Sequence, residues 1–180
     1  MKNSRRFRIR QKGDKNGEIQ LIISLLKYAR QKTIKAVDSL TIAHLDHVPD
    51  NYNNNIGALL KHICFMDRYT QTVCFEGVPF TAEELNFWDG ARGGTMQPPR
   101  AYGMPLVYYL ELMRKLREQT IAGLNKCSDV WLREETALVF SPAVGNLYVL
   151  MHLLEEEIGH CYQINMIKTR LKEIQSPFNI

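Results

Sequence analysis

Apolar positions recur at helical spacing through most of the chain. In the first long stretch, Ile19, Ile22, Ile23, Leu26, Ala29, Arg30, Thr33, Ile34 and Val37 fall on one side of a helix running from about Gly17 to Asp38. A link from Ser39 to Asn54, with Pro49 and an asparagine cluster, ends at Asn54 or Asn55, either of which suits an N-cap. A second helix follows over Asn55 to Phe75, with Ile56, Leu59, Leu60, Ile63, Met66 and Val73 on one face and Gly77 and Pro79 to stop it. Thr81 and Glu84 have capping-box spacing and predict a short helix to about Phe87. Asp89 to Tyr102 carries Gly90, Gly93, Gly94, Pro98 and Pro99 and reads as a loop. A third long helix starts near Pro105 and continues to about Cys127, with Leu106, Tyr109, Leu110, Met113, Leu116, Thr120, Ile121 and Leu124 inward. Residues 128–145 are mixed: Glu135 to Phe140 could pair as a short strand, and Ser141-Pro142 ends it. The fourth and longest helix runs from Gly145 or Asn146 to Glu173, with Pro177 beyond. Four long helices with almost no strand signal predict an all-α fold: an antiparallel four-helix bundle with a short extra helix and a long Gly/Pro-rich loop. There is no internal repeat, heptad run or low-complexity segment.

At 180 residues the chain is long enough for one domain with a real core. Its net charge of +4 is unevenly spread. Lys2, Arg5, Arg6, Arg8, Arg10, Lys12 and Lys15 stand against Asp14 alone, leaving 16 basic and 18 acidic residues for the remainder. A basic arm over residues 1–16 and a bundle domain over residues 17–175 follow. A nucleic-acid footprint would be a stripe on the folded domain; charge blocks at termini are more commonly solvated tails, so no nucleic-acid partner is expected. No apolar run approaches the roughly 20 residues needed to cross a bilayer, and the N-terminus lacks a secretory h-region. Cys64, Cys74, Cys127 and Cys161 form no C-x-x-C pair. They read as reduced core thiols, so a cytoplasmic protein without membrane partners or structural disulfides is expected.

Candidate chemistry sits on the fourth helix. Positions four apart on a helix differ by about 40°, so His152, Glu156 and His160 climb one side. Leu150, Leu154, Ile158, Cys161, Ile164 and Leu171 define the apolar arc. His160 falls inside it, Glu156 at its margin, and His152 further out. An acid and an imidazole taken from water need a partner, and a divalent ion supplies one. The donor set suits zinc, nickel, iron or manganese. A third ligand should come from a facing helix, and His62, at the apolar edge of the second helix, is the candidate.

Plainer readings exist for each. A lone His62 is more often a hydrogen-bonded core histidine. A run of three glutamates is more often one solvated face, yet Glu155, Glu156 and Glu157 spread over about 200°. Glu157 points nearer the arc centre than Glu156, and Glu157-x-x-His160 also has a metal-site spacing. Pattern alone does not choose between the two acids. His44 and His47 read as solvated link residues. Asp67 projects into the apolar arc of the second helix, to pair with a buried arginine or tyrosine hydroxyl or to line the pocket.

Asn55-Ile56-Gly57-Ala58-Leu59-Leu60-Lys61-His62-Ile63 resembles the second helix of DinB-like proteins, and Asn146-Leu147 through His160 followed by Gln163-Ile164 resembles their last helix. The likeness extends from about Ile22 to Leu171. It implies a four-helix bundle with three ligands, commonly histidines, which fall here on His62, position 156 and His160. Glu156 departs from the commoner histidine and is similar to a branch with Glu there and His four residues later. The resemblance favours Glu156 over Glu157 and leaves His152 as a neighbour or as a donor to a ligand. It also implies one divalent ion, a homodimer, and a metal-dependent thiol S-transferase or hydrolase acting on a small molecule such as a low-molecular-weight thiol. Trp88, Tyr69 and the loop before the third helix would cover that substrate. The alternative is a non-catalytic, stress-induced metal- or ligand-binding bundle. No Ser-His-Asp set, P-loop or G-x-G-x-x-G motif is present.

Overall fold

A computed structural model describes residues 17–50, 54–91, 102–138 and 143–174. The basic arm over 1–16, most of the Gly/Pro-rich loop and the end of the expected strand lie outside these residues. Among them the protein is all-α: α1 (Gly17–Val37), α2 (Ile42–Asp46), α3 (Ile56–Thr70), α4 (Ala82–Phe87), α5 (Leu106–Leu124) and α6 (Asn146–Ile174). Of the four long helices, α1 and α6 run one way while α3 and α5 run the other. Arg30 bonds the Met113 carbonyl and Arg117 that of Leu26, so α1 and α5 are antiparallel. His62 meets Glu156 while Val73 meets Val149, so α3 and α6 are antiparallel. Asp67 meets Arg117 while Gly123 approaches Phe75, so α3 and α5 are parallel. Leu26, Leu59, Leu60, Ile63, Tyr109, Met113, Leu150, Leu153 and Ile164 fill the centre.

The parallel α3–α5 pair needs a connection that returns along the bundle, and residues 71–91 run the first part of it. α3 ends in a π-helical turn over Gln71–Glu76. Gly77 closes this turn at φ 67°, its N–H donating to the Thr72 carbonyl at 2.9 Å. A Cβ there would lie 3.1 Å from the Ala137 carbonyl oxygen, so glycine is required on two counts. The chain then runs back beside α3. Arg68 bonds Glu84 at 2.7 Å, Phe80 and Trp88 pack on Phe65 with ring centroids 5.7 and 5.9 Å away, and Ala91 arrives beside His62.

Local chemistry sets most boundaries. Asn55 caps α3, its side chain accepting the Ala58 N–H at 2.7 Å. Thr81 and Glu84 cap each other's backbone at the start of α4. The link before α3 contains the five-residue α2, which the spacing of apolar residues did not announce. It is held by a second capping box in which Thr41 caps the His44 N–H and the His44 ring accepts from the Thr41 N–H at 3.2 Å. His44 is thus a helix cap and not simply a solvated residue. Glu135 pairs with Gly145 as an isolated antiparallel bridge. Ile158, placed on the apolar arc by spacing, is 40% exposed, and the buried face centres instead on Val149, Leu150, Leu153, Glu157, Ile164 and Ile167. All four cysteines are free thiols. No helix of the described residues is long and apolar enough to cross a membrane.

Candidate metal centre

His62 stands on the second turn of α3, and Glu156 and His160 on successive turns of α6. The antiparallel packing brings the three together, with one ligand atom from each lying within 4.8 Å of the others. Glu156 Oε2 is 3.2 Å from His62 Nε2 and 2.9 Å from His160 Nε2. The two imidazoles meet edge to face, with centroids 4.7 Å apart. Their side chains keep 15% and 17% of their surface exposed, and Glu156 keeps 26%. The cluster is therefore sheltered yet reachable from one side.

The ring hydrogens are accounted for elsewhere. His62 Nδ1 is 2.5 Å from the Ala91 carbonyl, which can only accept, so Nδ1 carries the hydrogen and donates it. His160 Nδ1 lies 2.9 Å from Gln163 Oε1 and donates to it in the same way. In neutral rings both Nε2 atoms then present lone pairs to a carboxylate oxygen. Burial chiefly holds His62 below its ordinary value near 6.5, with help from the charge of His160, against the raising effects of the Ala91 carbonyl and Glu156. His62 is thus neutral at pH 7. Burial pushes the Glu156 carboxyl up, but His62, His160 and His152 together outweigh it and leave it below 4.5. His160 Nε2 is buried and has no hydrogen-bond partner. With both rings neutral, two nitrogen lone pairs and an anionic oxygen converge with no hydrogen between them, an arrangement that a cation completes. The Glu–His separations are close to the edge of about 3.4 Å expected between donors in a tetrahedral zinc site. Hydrogen-bonding the outer ring nitrogen is how proteins orient metal-binding histidines.

Glu157 does something different. Its Oε1 accepts from Arg30 Nε at 2.6 Å and its Oε2 from Arg117 Nη2 at 2.6 Å. The same guanidiniums grip Asp67, through Arg30 Nη2 at 2.8 Å and Arg117 Nε at 2.9 Å, and Thr120 adds a hydroxyl bond at 2.8 Å. Burial alone would raise the Asp67 carboxyl, but Arg117, Arg30 and Thr120 prevail and hold it below its ordinary 3.8. Arg30 is likewise opposed by burial and raised overall by Asp67 and Glu157. The four charges balance inside the core, and each of their nitrogen and oxygen atoms has a hydrogen-bond partner. Asp67 thus finds buried arginines as partners, and Glu157 is committed to them and stands apart from the histidines.

His152 lies at the rim, 40% exposed, its Nε2 at 3.5 Å from Glu156 Oε1 and its ring stacked on Tyr148 at 6.4 Å. Trp88 is buried, in edge-to-face contact with Phe87. Three participants went unannounced. Arg117 had a signal, since it falls within the row Met113, Leu116, Thr120 and Leu124, where a charge demands a buried partner. Gln163, one turn beyond His160, had the i, i+3 spacing. Ala91 had none, because it acts through its carbonyl.

No curated protein matches the chain. A solved structure, that of a conserved protein from Enterococcus faecalis, superposes with a TM-score of 0.63, covering 82% of this chain and 93% of that one at 14% identity. At that identity the likeness shows the fold alone. The sequence profile of the DinB superfamily matches residues 25–164, from within α1 through His160 and into the last turns of α6. With a profile spanning all four long helices and both ligand-bearing segments, the chain belongs to the DinB superfamily.

Proposed function

We propose that this protein binds one divalent ion (zinc, nickel, iron or manganese) between His62, Glu156 and His160, and uses it as a thiol S-transferase or hydrolase on a small molecule. The carrying observation is His160 Nε2, buried without a hydrogen-bond partner and facing the oxygen that His62 Nε2 also faces. Three protein donors leave a position for substrate. A divalent ion bound there acts as a Lewis acid that makes a thiol or water acidic enough to be a nucleophile at neutral pH. Ala91 and Gln163 each accept from a histidine Nδ1, which in a neutral ring leaves Nε2 for the ion. His152, at the rim, lies 3.5 Å from Glu156 Oε1. Phe65, Phe80 and Trp88 pack as an aromatic group behind His62 and keep water from that side.

The test is metal analysis of protein purified without a histidine tag, alongside a screen of thiol acceptors with low-molecular-weight thiols. One equivalent of metal is expected, lost in His160→Ala and weakened in Glu156→Gln. If wild-type protein takes up none after exposure to zinc, nickel and manganese, the cluster is a polar network and the metal reading falls. Metal without turnover across the screen would favour the non-catalytic binding reading.

A homodimer is part of the same proposal. α6 carries a second apolar face, with Tyr148, Met151, Ile158, Tyr162 and Met166 each 40–70% exposed. Such side chains offer roughly 600 Å² per copy, so a symmetric pair would reach the lower range of stable interfaces, about 1,200 Å². Sedimentation should show a dimer at micromolar concentration that Tyr162→Glu converts to monomer. A wild-type monomer would remove the claim.

A further inference from the structure

Glu157 follows one ligand candidate by a single residue and precedes the other by three. Asp67 lies five residues beyond His62 on α3. The two helices that carry the site are therefore joined a second time, through Arg30 and Arg117, which each hold Asp67 and Glu157 at once. Each Nη1 also donates to a carbonyl, Arg30 to Met113 at 2.5 Å and Arg117 to Leu26 at 2.8 Å. Each arginine is thus fixed to α1 and α5 as well. Side chains from all four long helices meet in this group.

Apolar packing sets the rotation of α6 only coarsely, since burial is non-directional. Forked guanidinium–carboxylate bonds are directional. The need for them is visible in the sequence, because Glu155, Glu156 and Glu157 are chemically alike. A slip of one residue turns the helix by about 100° and moves it about 1.5 Å. It would offer Glu156 to the arginines and bring Glu155 and Gly159 to the places of Glu156 and His160, leaving the site one imidazole short. A slip the other way would set Ile158 against two buried guanidiniums. A smaller error, of tens of degrees, would leave the apolar face covered but misalign the donors, and sites tolerate only about 0.5 Å and 10–20°.

We infer that Arg30, Asp67, Arg117 and Glu157 are positioning residues for the His62–Glu156–His160 site, fixing the rotation and height of α6 against α3. The inference rests on the metal reading given above. Its test compares zinc affinity, by competition with a chromophoric chelator, and the cobalt(II) absorption spectrum across three folded proteins. The first is wild type. The second is the double variant Arg117→Met, Glu157→Leu, which keeps charge balance through the surviving Arg30–Asp67 pair but frees α6. The third is Leu124→Ala, a buried truncation at the far end of α5 that destabilises without touching the bridge. Zinc affinity should fall about tenfold or more in the double variant, with a broadened cobalt spectrum, and stay within about threefold of wild type in Leu124→Ala. A double variant that is folded by circular dichroism and binds zinc within about threefold of wild type overturns the inference, as does an equal loss in Leu124→Ala. If the double variant does not fold, Glu157→Asp, which keeps the charge and shortens the reach by one methylene, is read in the same titration, and unchanged affinity overturns the inference. Failure of the metal reading is distinguishable, because wild type itself would then bind neither ion, and the inference falls with it.

Discussion

Glu156 and Glu157 are the same side chain on adjacent residues of one helix, and they occupy opposite electrostatic situations. Glu157 is 1% exposed and meets two guanidiniums, so both its oxygens are satisfied by hydrogens. Glu156 is 26% exposed and meets two imidazole nitrogens whose hydrogens point elsewhere. The first environment is complete without any ligand. The second, with neutral rings, gains a partner when a cation arrives. Burial by itself would have singled out Glu157 as the site; counting hydrogens between the polar atoms singles out Glu156.

The largest expected effect comes from unbalancing the satisfied side. Glu157→Gln leaves Arg30 and Arg117 sharing the single charge of Asp67, and should cost about 3–5 kcal/mol in urea unfolding. Glu156→Gln should leave metal-free stability within about 1 kcal/mol of wild type, since an amide hydrogen can serve an Nε2 lone pair that the carboxylate could not. Equal destabilisation by both would break the comparison. Acid probes the same network. Asp67 has a folded-state value below its unfolded one, so its contribution is fully present above about 3.8 and is lost as the pH falls through the depressed folded value. The acid arm of a stability–pH curve should be shallower in Asp67→Asn than in wild type; parallel acid arms would contradict this.

On the unsatisfied side, saturating metal at about 100 times Kd should stabilise the wild type by roughly 2.7 kcal/mol, and chelation should remove that gain. His160→Ala should show neither effect. The smallest effect is Gln163→Leu, which releases the His160 Nδ1 hydrogen from its acceptor. Zinc affinity should weaken about tenfold with little change in metal-free stability. A thermal midpoint that drops without loss of affinity would make Gln163 a structural residue instead.

Helix order, caps and the two histidines were visible in sequence because each leaves a local trace: the spacing of apolar residues, Asn55 and Thr81 at helix starts, His62 at an apolar edge and His160 inside an apolar arc. The choice between the two glutamates was not readable from pattern, because it depends on Arg30 and Arg117 arriving from other helices. Arg30 hid among the apolar positions of α1, where its long aliphatic stem fits the periodicity. The rotation of α6 was misjudged for a related reason: with apolar residues on two faces, spacing alone does not show that Ile158 looks outward and Val149 and Leu153 inward. The return connection is a consequence of topology, and no residue in it states which way its neighbours run.

The described part of that connection reaches the site through a backbone carbonyl, and this bears on how the site can be altered by substitution. Ala91 sets the tautomer of His62 with an atom that every amino acid possesses. Replacing its side chain probes only how much room exists at a position 2% exposed, and leaves the acceptor in place. An alanine scan would pass over it. The contact is instead vulnerable to insertions and deletions between Gly77 and Ala91, which shift the carbonyl along α3 while every candidate ligand keeps its identity. A homologue with an intact His–Glu–His trio and a connection one residue longer would therefore be the natural place to find the imidazole turned and the centre silent.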